Sequence, residues 1–178
     1  SEILFISIIG GASLYLLLTT LRELFKKKYN ISQVISHSGF ALFVLSILFN
    51  SLFSSEISSN MKIGEELIHN KEQIKFLKVS TFEKKNYKSI IANFKITDEK
   101  SNTIFLFPEI RIYNQPNILT SEADIKSNIF YDKFIVVNLL KGNEIFNIRY
   151  QTKPFMIWIW ISVCLVSLGG MLNLIKRY

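Results

Sequence analysis

Three long uncharged, mostly apolar runs interrupt a chain that elsewhere alternates apolar and polar positions. The first, ILFISIIGGASLYLLLTT, continues through Leu21 and covers residues 3–21. The second, ISQVISHSGFALFVLSILFNSLF, covers 31–53. The third, PFMIWIWISVCLVSLGGMLNLI, covers 154–175. Each approaches the ~20 residues an α-helix needs to cross a ~30 Å hydrocarbon core, so the pattern predicts three transmembrane helices. The first run does not read as a signal peptide: no basic region precedes it, and a positive cluster follows it.

Residues 54–153 follow another period. QIKFLKVSTFE, YKSIIANFKIT, NTIFLFPEIRIY, KFIVVNLL and EIFNIRYQTKPF alternate in polarity and favour Ile, Val, Phe and Tyr, as half-buried strands do. Turn-forming residues separate them, in DEKSN at 98–102 and KGN at 141–143. The expected fold is α-helical in the membrane with one extracytoplasmic β-rich domain, a sandwich or barrel-like antiparallel structure. LTSEADIKSNIF predicts a short helix capped by Thr120 or Ser121.

Charge adds an orientation. The chain has 21 Lys and Arg against 14 Asp and Glu, a net +7. Arg22, Lys26, Lys27 and Lys28 fall in the loop 22–30, and Lys176 and Arg177 in the tail 176–178. Short basic loops stay inside, so the loop and tail are expected inside and the β-rich domain outside. The domain itself holds 15 basic and 12 acidic residues. That near-balance removes most of the case for nucleic-acid binding. One cysteine, Cys164, excludes an internal disulfide and any paired-cysteine site, and its apolar run predicts a buried side chain.

Candidate chemistry is sparse. His37 stands in the second run, about six residues in, or roughly 9–10 Å by helical rise. A neutral imidazole there has two nitrogens to satisfy, and polar groups inside spans are usually paired with neighbouring helices or functional. A hydrogen bond to another helix, or interfacial placement, is one reading. Axial ligation of a haem iron is the other. Ser36, Ser38 and Gly39 are small enough to admit a flat macrocycle or another helix, and Gln33 and Ala41 lie on roughly the same face as His37 by i±4 spacing. His69, in GEELIHNKEQI, is expected in a turn and solvated. Trp158 and Trp160 read as interfacial anchors, Gly169 and Gly170 as points of close helix packing. Glu109 and Arg111, two apart on a strand, share a face and predict an ion pair.

Three stretches occur together, in order. TLRELFKKKYNISQVISHSGFALFVLSI, residues 20–47, resembles a basic loop followed by a span opening on an AHxG motif, here Ser36-His37-Ser38-Gly39. FPEIRIYNQPNILTSEADI, residues 107–125, resembles a PEKRxY…TEAAI segment. YQTKPFMIWIWISVCLVSLGGMLNLI, residues 150–175, resembles a YYKPFVRWIWxGxxxMxxGG ending. This is the pattern of the C-terminal part of the CcmF family, the haem lyase component of cytochrome c maturation. Departures are also plain. Ser36 and Ser38 replace the usual alanine and leucine, and Ile110 stands where lysine is common. The family's tryptophan-rich haem-handling segment has no counterpart. The chain resembles the last part of a long, many-span protein, as a fragment or a separately encoded piece.

The resemblance implies that His37 is the metal ligand, binding the iron of a haem b held in the membrane. It implies no catalytic residue in this chain, which is then a portion of the haem lyase and not a complete enzyme. The implied partners are a haem chaperone, apocytochrome c, the lipid bilayer, and other segments or chains of the lyase. The implied location is a mitochondrial inner or bacterial cytoplasmic membrane, with 54–153 on the intermembrane-space or periplasmic side. His69 lies in the outside domain and His37 near the inside end of its span, most of a ~30 Å core apart. A second haem ligand is therefore expected from another segment or chain. The contrasting expectation is a structural or docking membrane subunit that binds no haem. A permease-like component is a weaker third, since the spans are few and no nucleotide-binding motif is present.

Overall fold

The computed structural model describes residues 2–26, 29–140 and 145–175. Two compact units divide the chain: Ser1–Ser54 with Asn128–Asp132 and Lys153–Tyr178, and Ser55–Ser127 with Lys133–Thr152.

The first unit is built on α1 (Glu2–Glu23), α2 (Ile31–Phe53) and α3 (Met156–Ile175). All three are long and apolar enough to cross a membrane. α2 packs against both α1 and α3. Small residues set the α2–α3 contact. A methyl group at Gly39 would lie 2.8 Å from Leu165 Cβ and 2.9 Å from the Val166 nitrogen. At Gly169 it would lie 2.7 Å from the Ser36 nitrogen and 2.8 Å from the Ser32 carbonyl. Ser32 Oγ donates to the Gly169 carbonyl at 3.0 Å in a buried bond across the two helices. Lipid tails are as apolar as leucine, so such close backbone packing and interhelical hydrogen bonding hold membrane helices together. Gly170 meets nothing within 4 Å. Of the paired glycines, only Gly169 serves the packing expected of both.

The second unit is a sandwich. One sheet has the order β1 (Ser55–Met61), β10 (Phe146–Pro154), β9 (Tyr131–Leu139), β8 (Asp124–Ser127). The other has the order β2 (Glu66–His69), β3 (Glu72–Glu83), β4 (Tyr87–Thr97), β6 (Glu109–Tyr113), β7 (Leu119–Glu122), with β5 (Thr103–Leu106) also on β4. Inward residues of both sheets form one core, including Phe76, Phe94, Ile135, Phe146 and Ile148. Phe76 stacks on Phe94 at 4.6 Å and meets the ring of Phe146 edge-on at 5.3 Å. Alternation along β3, β4, β9 and β10 places these side chains inward. The stretch 102–113 forms two strands, because Pro108 lacks a ladder N–H. Its carbonyl still accepts from the Ala92 nitrogen at 3.0 Å. The expected helix at 119–130 is absent. Leu119–Glu122 pairs instead with Glu109–Ile112, and the ladder takes the backbone groups a helix cap would serve. The turn at 98–102 forms as expected: Asp98 Oδ1 accepts from the Lys100 and Asn102 nitrogens at 2.9 and 2.8 Å. KGN at 141–143, Lys27, Lys28, Lys176 and Arg177 lie outside the described residues.

Candidate functional site

His37 occupies the second turn of α2, at the end where α1 finishes and α2 begins. Its side chain is exposed, although Ser32, Val34, Gly39 and Ala41 on the same helix are buried. Two grooves border it. One, of about 300 Å³ between α2 and α3, is lined by Asn30, Ser32, Gln33, Ser36, His37, Gly169, Gly170 and Asn173. The other, of about 140 Å³ between α1 and α2, is lined by Leu16, Thr19, Thr20, Glu23, Asn30, Gln33, Val34 and His37. His37 makes no hydrogen bond to any of the described residues.

Not every residue expected beside His37 is there. Gln33 lines both grooves with it. Ala41 does not share the open face and is fully buried, because four residues overshoot one 3.6-residue turn and carry position 41 into the packed side. Phe40, three residues on, stays exposed. The small residues also divide. Ser36 and Gly39 let α3 approach, while Ser38 Oγ is enclosed without a hydrogen-bond partner. Asn30 and Asn173 escaped the sequence reading. Asn30 precedes the helix start, and Asn173 lies 136 positions from His37.

Other singled-out residues have structural settings. His69 ends β2 before a two-residue turn at Asn70 and Lys71, both at positive φ. It is not solvated as expected: its ring meets Tyr150 edge-on at 6.5 Å, and Nε2 is enclosed without a partner. Tyr150 donates to Glu72 Oε2 at 2.6 Å, and buried Lys133 pairs with Glu72 Oε1. Arg111 Nη2 donates to Glu109 Oε2 at 2.8 Å, the ion pair expected from the strand spacing. That guanidinium, then the Ser89 hydroxyl, holds the Glu109 carboxyl below its usual range against the opposing effect of burial. Arg111 also sits over the Tyr87 ring at 5.4 Å. Cys164 is exposed on α3, not buried, since the helix turns Ser162 and Gly169 toward α2. Among the described residues, no group of three or more His, Cys, Asp or Glu side chains is placed to hold a metal ion.

The family defined by the CcmF C-terminal beta-sandwich matches residues 52–154, more than half of the chain. The chain belongs to the CcmF family, and it corresponds to the C-terminal part. It is 29% identical over 144 residues to the cytochrome c-type biogenesis protein CcmF of Haemophilus influenzae, across 81% of this chain. The Escherichia coli CcmF is 28% identical over 141 residues, across 79% of this chain. In both cases the chain spans 22% of the relative's length. A solved structure titled cytochrome c heme lyase CcmF superposes with a TM-score of 0.64 at 19% identity, covering 79% of this chain and 24% of that one. That likeness shows a common fold.

Proposed function

We propose that this chain is the C-terminal portion of a cytochrome c haem lyase and that His37 supplies one axial ligand to a membrane haem b. The observation that carries the proposal is the placement of His37. An imidazole in an apolar helix would ordinarily be expected to pair with a neighbouring helix. This one is flanked by α1 and α3, bonds to neither among the described residues, and faces out between two grooves. A free imidazole nitrogen is a common axial donor to haem iron, so the residue present fits the group. Gln33 and Asn30 line both grooves with it. One of these amides would accept the other ring N–H and fix the tautomer, as the partners of metal-bound histidines do.

Bound haem supplies one-electron redox chemistry. The chain's own work is to hold the ring in place. Ser32, Ser36, Gly39 and Gly169 lock α2 against α3 and so fix the backbone on which His37 stands. A second ligand comes from the remaining length of the family protein, of which this chain is about a fifth. The β-sandwich offers a surface for a haem chaperone and for apocytochrome c, whose thiols receive the haem vinyl groups. The basic residues Arg22 and Lys26 support an inside loop, with the sandwich on the intermembrane-space or periplasmic side.

The test is the pyridine-haemochrome content of the purified membrane assembly, wild type beside His37→Ala. Loss of the b-type signal from an intact assembly is the expected result. An unchanged signal would overturn the ligand assignment and leave a structural, docking role.

A further inference from the structure

We infer that the turn joining β8 to β9 is a membrane-interface anchor, with Ile129 and Phe130 seated in the headgroup and acyl-chain boundary of the bilayer. Both side chains are exposed, Ile129 at 58% and Phe130 at 62%. The turn does not belong to the sandwich core: Asn128–Asp132 clusters with the helices.

Its attachment fixes its depth. The Trp158 indole N–H donates to the Ile129 carbonyl at 2.8 Å, and the Phe155 nitrogen donates to the Phe130 carbonyl at 2.8 Å. Trp158 lies two residues past the start of α3, about 3 Å along the helix. The turn therefore stands at the level where a membrane span enters lipid. Phe155, which holds the turn, meets Phe49 of α2 at 5.3 Å, and Phe49 meets Phe53 at 6.2 Å. Phe53, the last residue of α2, is 64% exposed, and Trp160 is 67% exposed. Tryptophan and tyrosine collect at this depth because their amphipathic rings favour the headgroup boundary, which fits Trp158 and Trp160.

The backbone of the turn is also prepared for low dielectric. Asn128 Oδ1 accepts from the Phe130 and Tyr131 nitrogens, each at 2.8 Å. The Asn128 nitrogen donates to the Tyr131 carbonyl at 3.0 Å. With the two carbonyls held by Trp158 and Phe155, six backbone groups are satisfied without water. An unsatisfied group is what excludes irregular backbone from lipid, and this turn leaves few. A water-facing turn such as 98–102 makes similar Asx bonds, but it has no need of two large apolar side chains at its tip. Lipid, not a protein groove, is favoured because the turn is joined through Phe155 and Phe49 to helices long and apolar enough to cross a membrane.

Site-directed spin labelling of the full chain in its membrane assembly tests this. Ile129→Cys and Phe130→Cys are each made with Cys164→Ser, which removes the other thiol, and Glu99→Cys in the exposed 98–102 turn is the aqueous control. Collision with oxygen should exceed collision with a water-soluble nickel chelate at 129 and 130, with the order reversed at 99. Chelate-dominated collision at both would put the turn in water and overturn the inference. So would low accessibility to both colliders, which would mean that another protein segment covers it.

Discussion

Neighbouring glycines on α3 should respond oppositely to the same substitution. Alanine is favoured over glycine in a helix interior by about 1 kcal/mol. That gain is common to Gly169→Ala and Gly170→Ala and cancels in their difference. At 170 the new methyl meets nothing within 4 Å, so the variant should be neutral or slightly more stable. At 169 the methyl would lie 2.1 Å from Ser36 Oγ, 2.7 Å from the Ser36 nitrogen and 2.8 Å from the Ser32 carbonyl. The hydroxyl can rotate away, but the two backbone atoms cannot, so α2 and α3 must separate. Overpacking of this kind costs about 1–3 kcal/mol. Separation also breaks the Ser32 Oγ bond to the Gly169 carbonyl, and interhelical bonds in membranes average about 0.6 kcal/mol. The two variants should therefore differ by about 2–4 kcal/mol, with Gly169→Ala the weaker. The assay is reversible unfolding of each variant in mixed micelles. Because the close contact at Gly169 holds α2, and so the backbone of His37, against α3, haem content should fall with stability at 169. A difference below about 0.5 kcal/mol, the ordinary range for surface changes, would refute the α2–α3 packing and the account of how His37 is held.

Glu72 accepts from both the Lys133 ammonium and the Tyr150 hydroxyl, so Glu72→Leu, which removes a charge-assisted acceptor, should cost about 1.5–3 kcal/mol in thermal or denaturant unfolding. Glu72→Leu with Lys133→Met should recover much of that loss, and a double variant no better than the single would contradict it. Glu109 makes a pH prediction. Its folded pKa lies below the usual 4.5, so its ion pair adds stability above about pH 4.5 that is lost as pH falls through the depressed value. In Arg111→Gln the Glu109 carboxyl should titrate higher, as followed by carboxylate infrared bands, and an unmoved titration would show that Arg111 is not the cause.

The helices were legible because an uncharged run of the right length has few alternatives, and the sandwich because most of its strands alternate with a period of two. Glu109 and Arg111 were paired by that same period. What the sequence concealed arises from distant partners. Thr120 and Ser121 look like helix caps locally, but the backbone of Leu119–Glu122 pairs with β6, and Ser121 Oγ donates to Asn138 Oδ1 at 2.6 Å. His69 looks solvated within its own turn, yet its ring meets Tyr150, 81 positions away. Cys164 was placed by apolar character alone, which cannot tell a face turned to another helix from one turned to lipid, and Ala41 by a four-residue spacing that overshoots one helical turn. At the candidate site, His37 and Gln33 could be found from one helix period, whereas Gly169 and Asn173 reach the same groove only through the α2–α3 crossing.

The central claim is that the imidazole of His37 itself holds haem, and small-molecule replacement of that imidazole tests it most directly. In His37→Gly the side chain is gone, and free imidazole added to the purified membrane assembly can stand in its place. The account predicts a b-type absorption spectrum that is lost in the variant and restored by imidazole but not by a non-ligating analogue of similar size. A b-type spectrum that persists in His37→Gly before any imidazole is added would contradict it.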